Sequence, residues 1–259
     1  RILAEREREI KAFKPETYFV LNANFKAASG EFPATCSIEP KTKEEADRIV
    51  NIGRTAAWSV ADIQEKAEER SPRPPFTTST LQQSASTRLG FAPSRAMRAA
   101  QKLYEAGHIT YMRTDSVTLG KDAVTKILGV LESQFGKEYV QARVYKTKSK
   151  NAQEAHEAIR PTDPAKVRAG ATPDEEQLYE LIRTRALASQ MPSARVMRTS
   201  VSAKADADIP LFTANGSRVM FTGWLALDTR ARGEDVELPK LTAKDLLTLL
   251  SLAGDEKQT

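Results

Sequence analysis

The chain has 259 residues, enough for one large domain or two modest ones with cores of their own. Its single cysteine, Cys36, excludes an internal disulfide and any CxxC zinc pair, and no apolar run approaches the length that spans a bilayer. The net charge of +5 is modest, so its placement along the chain is more informative than its size.

RILAEREREIKAF opens the chain as an amphipathic helix, without a starting methionine, and reads as a piece of a longer polypeptide. TYFVLNANF alternates as a strand, ASGEF is a hairpin turn and FPATCSI its partner. KTKEEADRIV is a short helix, and a second extended segment begins at Trp58. SPRPP, residues 71–75, can join neither a central strand nor a helix interior, so it marks a boundary. Two helices follow, STLQQSASTRLG closed by Gly90 and APSRAMRAAQKLYEAG closed by Gly107. With HITYM as a strand, this is the outline of a winged helix-turn-helix, or of any small helical subdomain. KDAVTKILGVLESQFG is a further helix, ARVYKTKSKNAQ a basic loop, and TPDEEQLYELIRTRALASQM a long helix with Pro173 at its first position and Thr172 and Glu175 as a capping box. RVMRTSVSAKA, SRVMFTGWLALDT and LLTLLSL then return to strand periodicity. The fold class expected is α+β. Residues 1–70 and 194–259 form one discontinuous β-rich domain, and residues 71–193 a mainly helical, winged-helix-like insert.

Between residues 71 and 113 the bases Arg73, Arg88, Arg95, Arg98, Lys102 and Arg113 meet one acid, Glu105. From residue 137 to 150, Lys137, Arg143, Lys146, Lys148 and Lys150 meet only Glu138. Two one-sided runs flanking GHITYMRTDS point to an anionic partner, with nucleic acid first.

Within GHITYMRTDS a tyrosine is followed closely by a guanidinium, two hydroxyls and a carboxylate. A phenol with a pKa of about 10 is a poor nucleophile unless nearby charge favours the phenolate. Arg113 could supply that charge or hold phosphate oxygens, Thr114 and Ser116 could donate hydrogen bonds, and Asp115 could orient the arginine. On these residues alone, a half-buried strand tyrosine beside an Arg113–Asp115 pair is the plainer reading. AHEAIRPTD is a second cluster: on a helical turn His156 and Arg160 would share a face, and the imidazole could exchange a proton or meet a phosphate. A surface turn ended by Pro161 is the plainer alternative. Asp206 and Asp208 have a spacing used for magnesium, but their place beside Pro210 fits a polar turn better. No GxxxxGK[ST] or GxGxxG loop occurs, which argues against ATP and dinucleotide sites.

PFTTSTLQQSASTRLGF, LYEAGHITYMRTDS, NAQEAHEAIRPTD and ASQMPSARV, in this order, resemble the central region of the type IA DNA topoisomerases, the bacterial branch in particular. The resemblance covers nearly the whole chain. It implies transient cleavage of one DNA strand through a 5′-phosphotyrosyl bond, strand passage and religation, relaxing negative supercoils without ATP. Carried onto this sequence, Tyr111 is the nucleophile and Arg113 its assistant. Thr114, Asp115, Glu105, His156 and Arg160 are nucleic-acid-binding or supporting residues. It further implies that the β-rich flanks are a hinge or arch domain and the insert the tyrosine-bearing domain. Single-stranded and negatively supercoiled duplex DNA are the implied partners of a monomeric, cytoplasmic enzyme. Magnesium is implied for the parent enzyme on an acidic domain outside these residues, with no metal held here, so the isolated chain is expected to be inactive. A non-enzymatic single-strand-binding module explains the basic runs but not the Tyr111 cluster. A tyrosine recombinase would place its arginines and histidine before the tyrosine, the reverse of this order.

Overall fold

A computed structural model describes residues 2–145, 157–232 and 235–259. The chain divides into two compact units, Arg1–Ala67 with Met197–Arg218 and Asp235–Thr259, and Glu68–Val196 with Val219–Glu234. Helix and sheet are mixed, as expected of an α+β chain.

Six strands, β1 (Thr17–Ala27), β2 (Gly30–Cys36), β3 (Trp58–Arg70), β4 (Ala194–Ala205), β5 (Phe212–Phe221) and β6 (Leu246–Gln258), close into a barrel in the order β1-β2-β5-β4-β3-β6. β1 and β2 form an antiparallel hairpin in which Phe25 faces Phe32, and β1 also pairs with β6, with a register shift after Asn24. Alternation along β1 buries Phe19, Leu21, Ala23, Phe25 and Ala27 on one side. Trp58 meets Phe25 at 4.9 Å and Phe212 edge-on at 5.3 Å between ring centroids. Two helices belong to this unit, the exposed α1 (Ile2–Ala12) and α2 (Lys43–Thr55). Thr42 caps α2, and Ala46, Ile49, Val50 and Gly53 place its apolar stripe on this core. Asp206 lies in a turn as expected, its carboxylate accepting from the Ala57 amide at 2.9 Å.

The second unit holds α3 (Thr78–Leu89), α4 (Pro93–Glu105), α5 (Lys121–Phe135), α6 (Pro173–Ala188) and the short α7 (Thr229–Arg232). Gly90 ends α3 at φ 69°, a left-handed conformation in which its amide reaches back to the Ala85 and Ser86 carbonyls. α6 is buried along most of its length, with Leu178, Tyr179 and Ile182 in the main core and Ala186 and Leu187 in a smaller one shared with α5. Residues 219–234, read from sequence with the β-rich flank, group with this unit because Trp224, Ala226 and Leu227 pack on that smaller core. GWLALDT is not strand: a 3-10 turn (Gly223–Ala226) leads into α7. Gly223 has φ 49°, and a Cβ there would stand 2.6 Å from the Pro192 carbonyl oxygen.

The capping expected at α6 is half right. Thr172 accepts from the Glu175 amide at 3.4 Å, but the Glu175 carboxylate accepts from Ala171, one residue outside the box. α3 has the reciprocal form, Thr77 with Thr80 in place of an acid. Near the start of α6, Asp174 receives a bidentate fork from Arg95 of α4, both bonds 2.7 Å. The Arg95 hydrogen bond holds the Asp174 carboxyl below its ordinary value. A lowered folded pKa gives stability that is present above the unfolded carboxylate value and is lost as pH falls through the folded one. Asp174→Asn should therefore melt lower than wild type at pH 6, and the gap should close below about pH 3.9. The gap should be small, because the pair is exposed. Parallel melting curves across that range would remove the pair as its cause.

Candidate active site

The segment after α4 is not the strand that HITYM suggests. It makes isolated antiparallel bridges, Ile109 with Pro161, while Phe76 pairs with Ile159 next to it. Threonine side chains take over part of the backbone pairing. Thr110 donates its hydroxyl to the Ala158 carbonyl at 2.7 Å and accepts from the Arg160 amide at 3.0 Å, while its own amide donates to the Arg160 carbonyl. Thr78, the first residue of α3, donates its hydroxyl to the Met112 carbonyl at 2.7 Å and accepts from the Thr114 amide at 2.9 Å. The Thr78 amide donates to the Thr114 carbonyl. The loop is thus tied at Thr110 to residues 158–160 and at Met112 and Thr114 to α3.

Burial alternates strictly between these ties. Met112, Thr114 and Ser116 are 1, 7 and 4% exposed, whereas Tyr111, Arg113 and Asp115 face solvent. The backbone bends at Met112 and Arg113, and the alternation leaves tyrosine, guanidinium and carboxylate all at the surface. Tyr111 is 43% exposed, and its ring meets that of Tyr104 edge-on at 5.3 Å. An apolar edge contact orients the phenol without removing it from solvent.

The remaining sequence-predicted residues separate into distinct places. Thr114 is inside: its hydroxyl accepts from the Ser116 amide at 3.0 Å, and Ser116 in turn accepts from Thr118. Glu105, exposed near the end of α4, accepts from Gln101 at 2.7 Å. Arg160 donates to the Glu157 carboxylate from Nη2 at 2.5 Å and Nε at 3.1 Å, and from Nη1 to the Pro161 carbonyl. Glu157 also accepts from the Gly120 amide at 2.6 Å, just before α5. One carboxylate therefore fastens Arg160 and the entry to α5 together. His156 lies outside the described residues, as do Lys146, Lys148 and Lys150 of the second basic run. Sequence reasoning gave no role to Thr78, Thr110, Tyr104 or Glu157. Thr78 stands in PFTTSTLQ and Glu157 in AHEAIRP, but their partners are 34 and 37 residues away.

No described helix is long and apolar enough to cross a membrane. Among the described residues no three His, Cys, Asp or Glu come together as a metal site.

A family model described as DNA topoisomerase matches residues 1–259. The chain is 41% identical to DNA topoisomerase 1 of Zymomonas mobilis over 283 residues, covering 100% of this chain and 23% of the relative. It is likewise 41% identical to DNA topoisomerase 1 of Escherichia coli over 266 residues, covering 97% of this chain and 30% of that protein. Among solved structures, full-length topoisomerase I from Thermotoga maritima superposes with a TM-score of 0.82 at 27% identity, over 100% of this chain and 43% of that one. The chain thus spans less than half the length of each of these relatives. With its whole length matched by the family and by bacterial relatives at this identity, the chain belongs to the type IA DNA topoisomerase family, as a stretch of a bacterial topoisomerase I.

Proposed function

We propose that the chain is the tyrosine-bearing part of an enzyme that breaks and reseals one DNA strand. The observation that supports this is the exposure of Tyr111, Arg113 and Asp115 on a loop tied at Thr110, Met112 and Thr114. Tyr111 Oη attacks the phosphorus of a phosphodiester. The tyrosyl O–P bond forms, the P–O3′ bond breaks, and the departing 3′-oxygen takes up a proton as the phenol loses one. Religation reverses these changes. One ester replaces another at each step, so no ATP is needed.

Arg113 meets the charge that develops on the phosphoryl oxygens with two parallel donors. Asp115 orients it. Thr114, being buried, holds the loop rather than the strand. Arg160, engaged by Glu157, supports the segment that anchors Thr110. Glu105 is a further supporting residue, and His156 is assigned a nucleic-acid-binding role. We further read α3 and α4, joined through residues 90–92, as the helical pair of a winged-helix-like insert, and the barrel as the hinge or arch domain. The partners are single-stranded and negatively supercoiled DNA, met by a monomer in the cytoplasm.

The described residues do not fit a magnesium site, since the Glu157 carboxylate is taken up by Arg160 and Gly120 and no acidic trio converges. Any magnesium chemistry belongs to the part of the relatives' length that this chain does not span.

The test is adduct mapping in the full-length polypeptide. After incubation with a labelled single strand and proteolysis, mass spectrometry should find the nucleotide on the peptide that holds Tyr111. A label on another residue would overturn the assignment. Strand binding without any adduct would favour the non-enzymatic binding module that the basic run from Arg73 to Arg113 also suits.

A further inference from the structure

A second cationic feature lies on α3, the helix that holds the tyrosine loop, but on a different face from Thr78. Thr80, Gln83, Ser84 and Thr87 follow one another at helical spacing and line a cleft of about 250 Å³. Arg73, from the rigid SPRPP stretch, and Arg185, from α6, close it. Among the described residues no carboxylate lines it.

The Arg185 guanidinium stacks on the Phe76 ring, its Cζ 4.2 Å from the centroid, so one of its faces is committed to an aromatic surface. Burial, and then the like charges of Arg73 and Arg88, push its pKa down to about 10. It stays protonated at neutral pH, at a cost that an anion in the cleft would offset. The nearby acid, Asp228, is already held by Arg88 at 2.9 Å. Among the described residues neither Arg73 nor Arg185 forms an ion pair. Thr80 and Thr87 spend their hydroxyl protons on α3 carbonyls and on the Thr77 cap. Ser84 and the second amide proton of Gln83 remain as neutral donors beside the two guanidiniums. Two cations, two neutral donors and no acceptor acid suit a tetrahedral oxyanion.

We propose that the cleft closed by Arg73 and Arg185 over α3 binds a phosphate group. The two sources of that group are a phosphodiester of a DNA strand and a free phosphate or phosphomonoester. The strand source deepens the nucleic-acid reading given above, whereas the free-phosphate source stands without it.

The experiment uses the 259-residue chain. Fluorescence anisotropy with a labelled oligothymidylate, read across a salt series, compares wild type with Arg73→Gln, Arg185→Lys and Arg185→Gln. Arg8→Gln, on α1, carries the same loss of charge elsewhere. In parallel, inorganic phosphate is titrated into the wild-type chain and into Arg73→Gln, and arginine Nε–H resonances are followed by NMR. Arg73 is exposed, so its glutamine variant keeps the fold even where a change at Arg185 does not. If a strand phosphodiester occupies the cleft, Arg73→Gln weakens oligonucleotide binding by on the order of fivefold and lowers the magnitude of the salt slope by about 0.7, beyond any effect of Arg8→Gln. If the occupant is a free phosphate, the titration shifts the wild-type Arg73 and Arg185 resonances, the Arg73→Gln chain loses the response, and oligonucleotide binding is unchanged. No shift with phosphate, together with oligonucleotide binding equal to that of Arg8→Gln, would overturn the site. That result would leave the Tyr111 reading intact, because adduct mapping is scored independently.

Discussion

In the full-length polypeptide, Tyr111→Phe should reduce the covalent DNA adduct to background while leaving the melting temperature close to wild type. The variant removes a single oxygen and keeps the ring that meets Tyr104, and surface changes of this size usually alter stability by no more than about 0.5 kcal/mol. Arg113→Lys separates charge from geometry at the neighbouring position. A lysine keeps the cation but loses the planar fork, so cleavage should slow by about 10- to 100-fold rather than vanish. A denaturing gel of a labelled single strand reads both variants. An adduct from the phenylalanine variant at wild-type yield would move the chemistry to another residue.

The second large effect belongs to Thr78, which touches no part of the proposed substrate. Thr78→Val is nearly isosteric, so it leaves the shape of α3's first turn unchanged. It removes the hydroxyl that donates to the Met112 carbonyl and accepts from the Thr114 amide. Each polar group left unsatisfied away from water costs about 1–3 kcal/mol, and with both groups only partly buried the expected loss is in the lower part of the summed range, about 2–4 kcal/mol. The melting temperature should fall by about 5–15 °C. Thr78→Ser, which retains the hydroxyl, should recover most of both stability and cleavage. If serine and valine behave alike, the threonine acts through its methyl group and the hydroxyl tie is not what holds the loop.

These two positions show what sequence reveals and what it withholds. The helix ends were legible because their chemistry is local: Gly90 supplies a left-handed residue, and Pro173 suits the first turn of α6. The hairpin of β1 and β2 was legible from alternation on either side of ASGEF, although the turn itself takes only residues 28 and 29. Tyr111 and Arg113 stood out as residue types in a dense polar run. Thr114 shows the limit. A threonine between an arginine and an aspartate reads equally as a donor to substrate or as a loop anchor, and only the arrival of α3 from 36 residues earlier decides for the anchor. HITYM was read as strand because its residues favour extended backbone. What it lacks is a continuous neighbour, since Thr110 and Thr78 satisfy by side chain what a ladder would satisfy by backbone. Residues 219–234 were misgrouped for a similar reason, their alternation continuing past the point where Gly223 turns the chain.

The alternation from Tyr111 to Ser116 also limits how the parent gene can change here. Thr110 is fastened on one side, and Met112 and Thr114 on the other, so the number of residues between the fastenings is set. Adding or losing one residue there would pull a fastening from its partner or displace the exposed phenol and guanidinium from their places beside the buried Met112. Length variants that keep the chemistry must therefore place the change outside residues 109–116, since Ile109 is itself buried in the core.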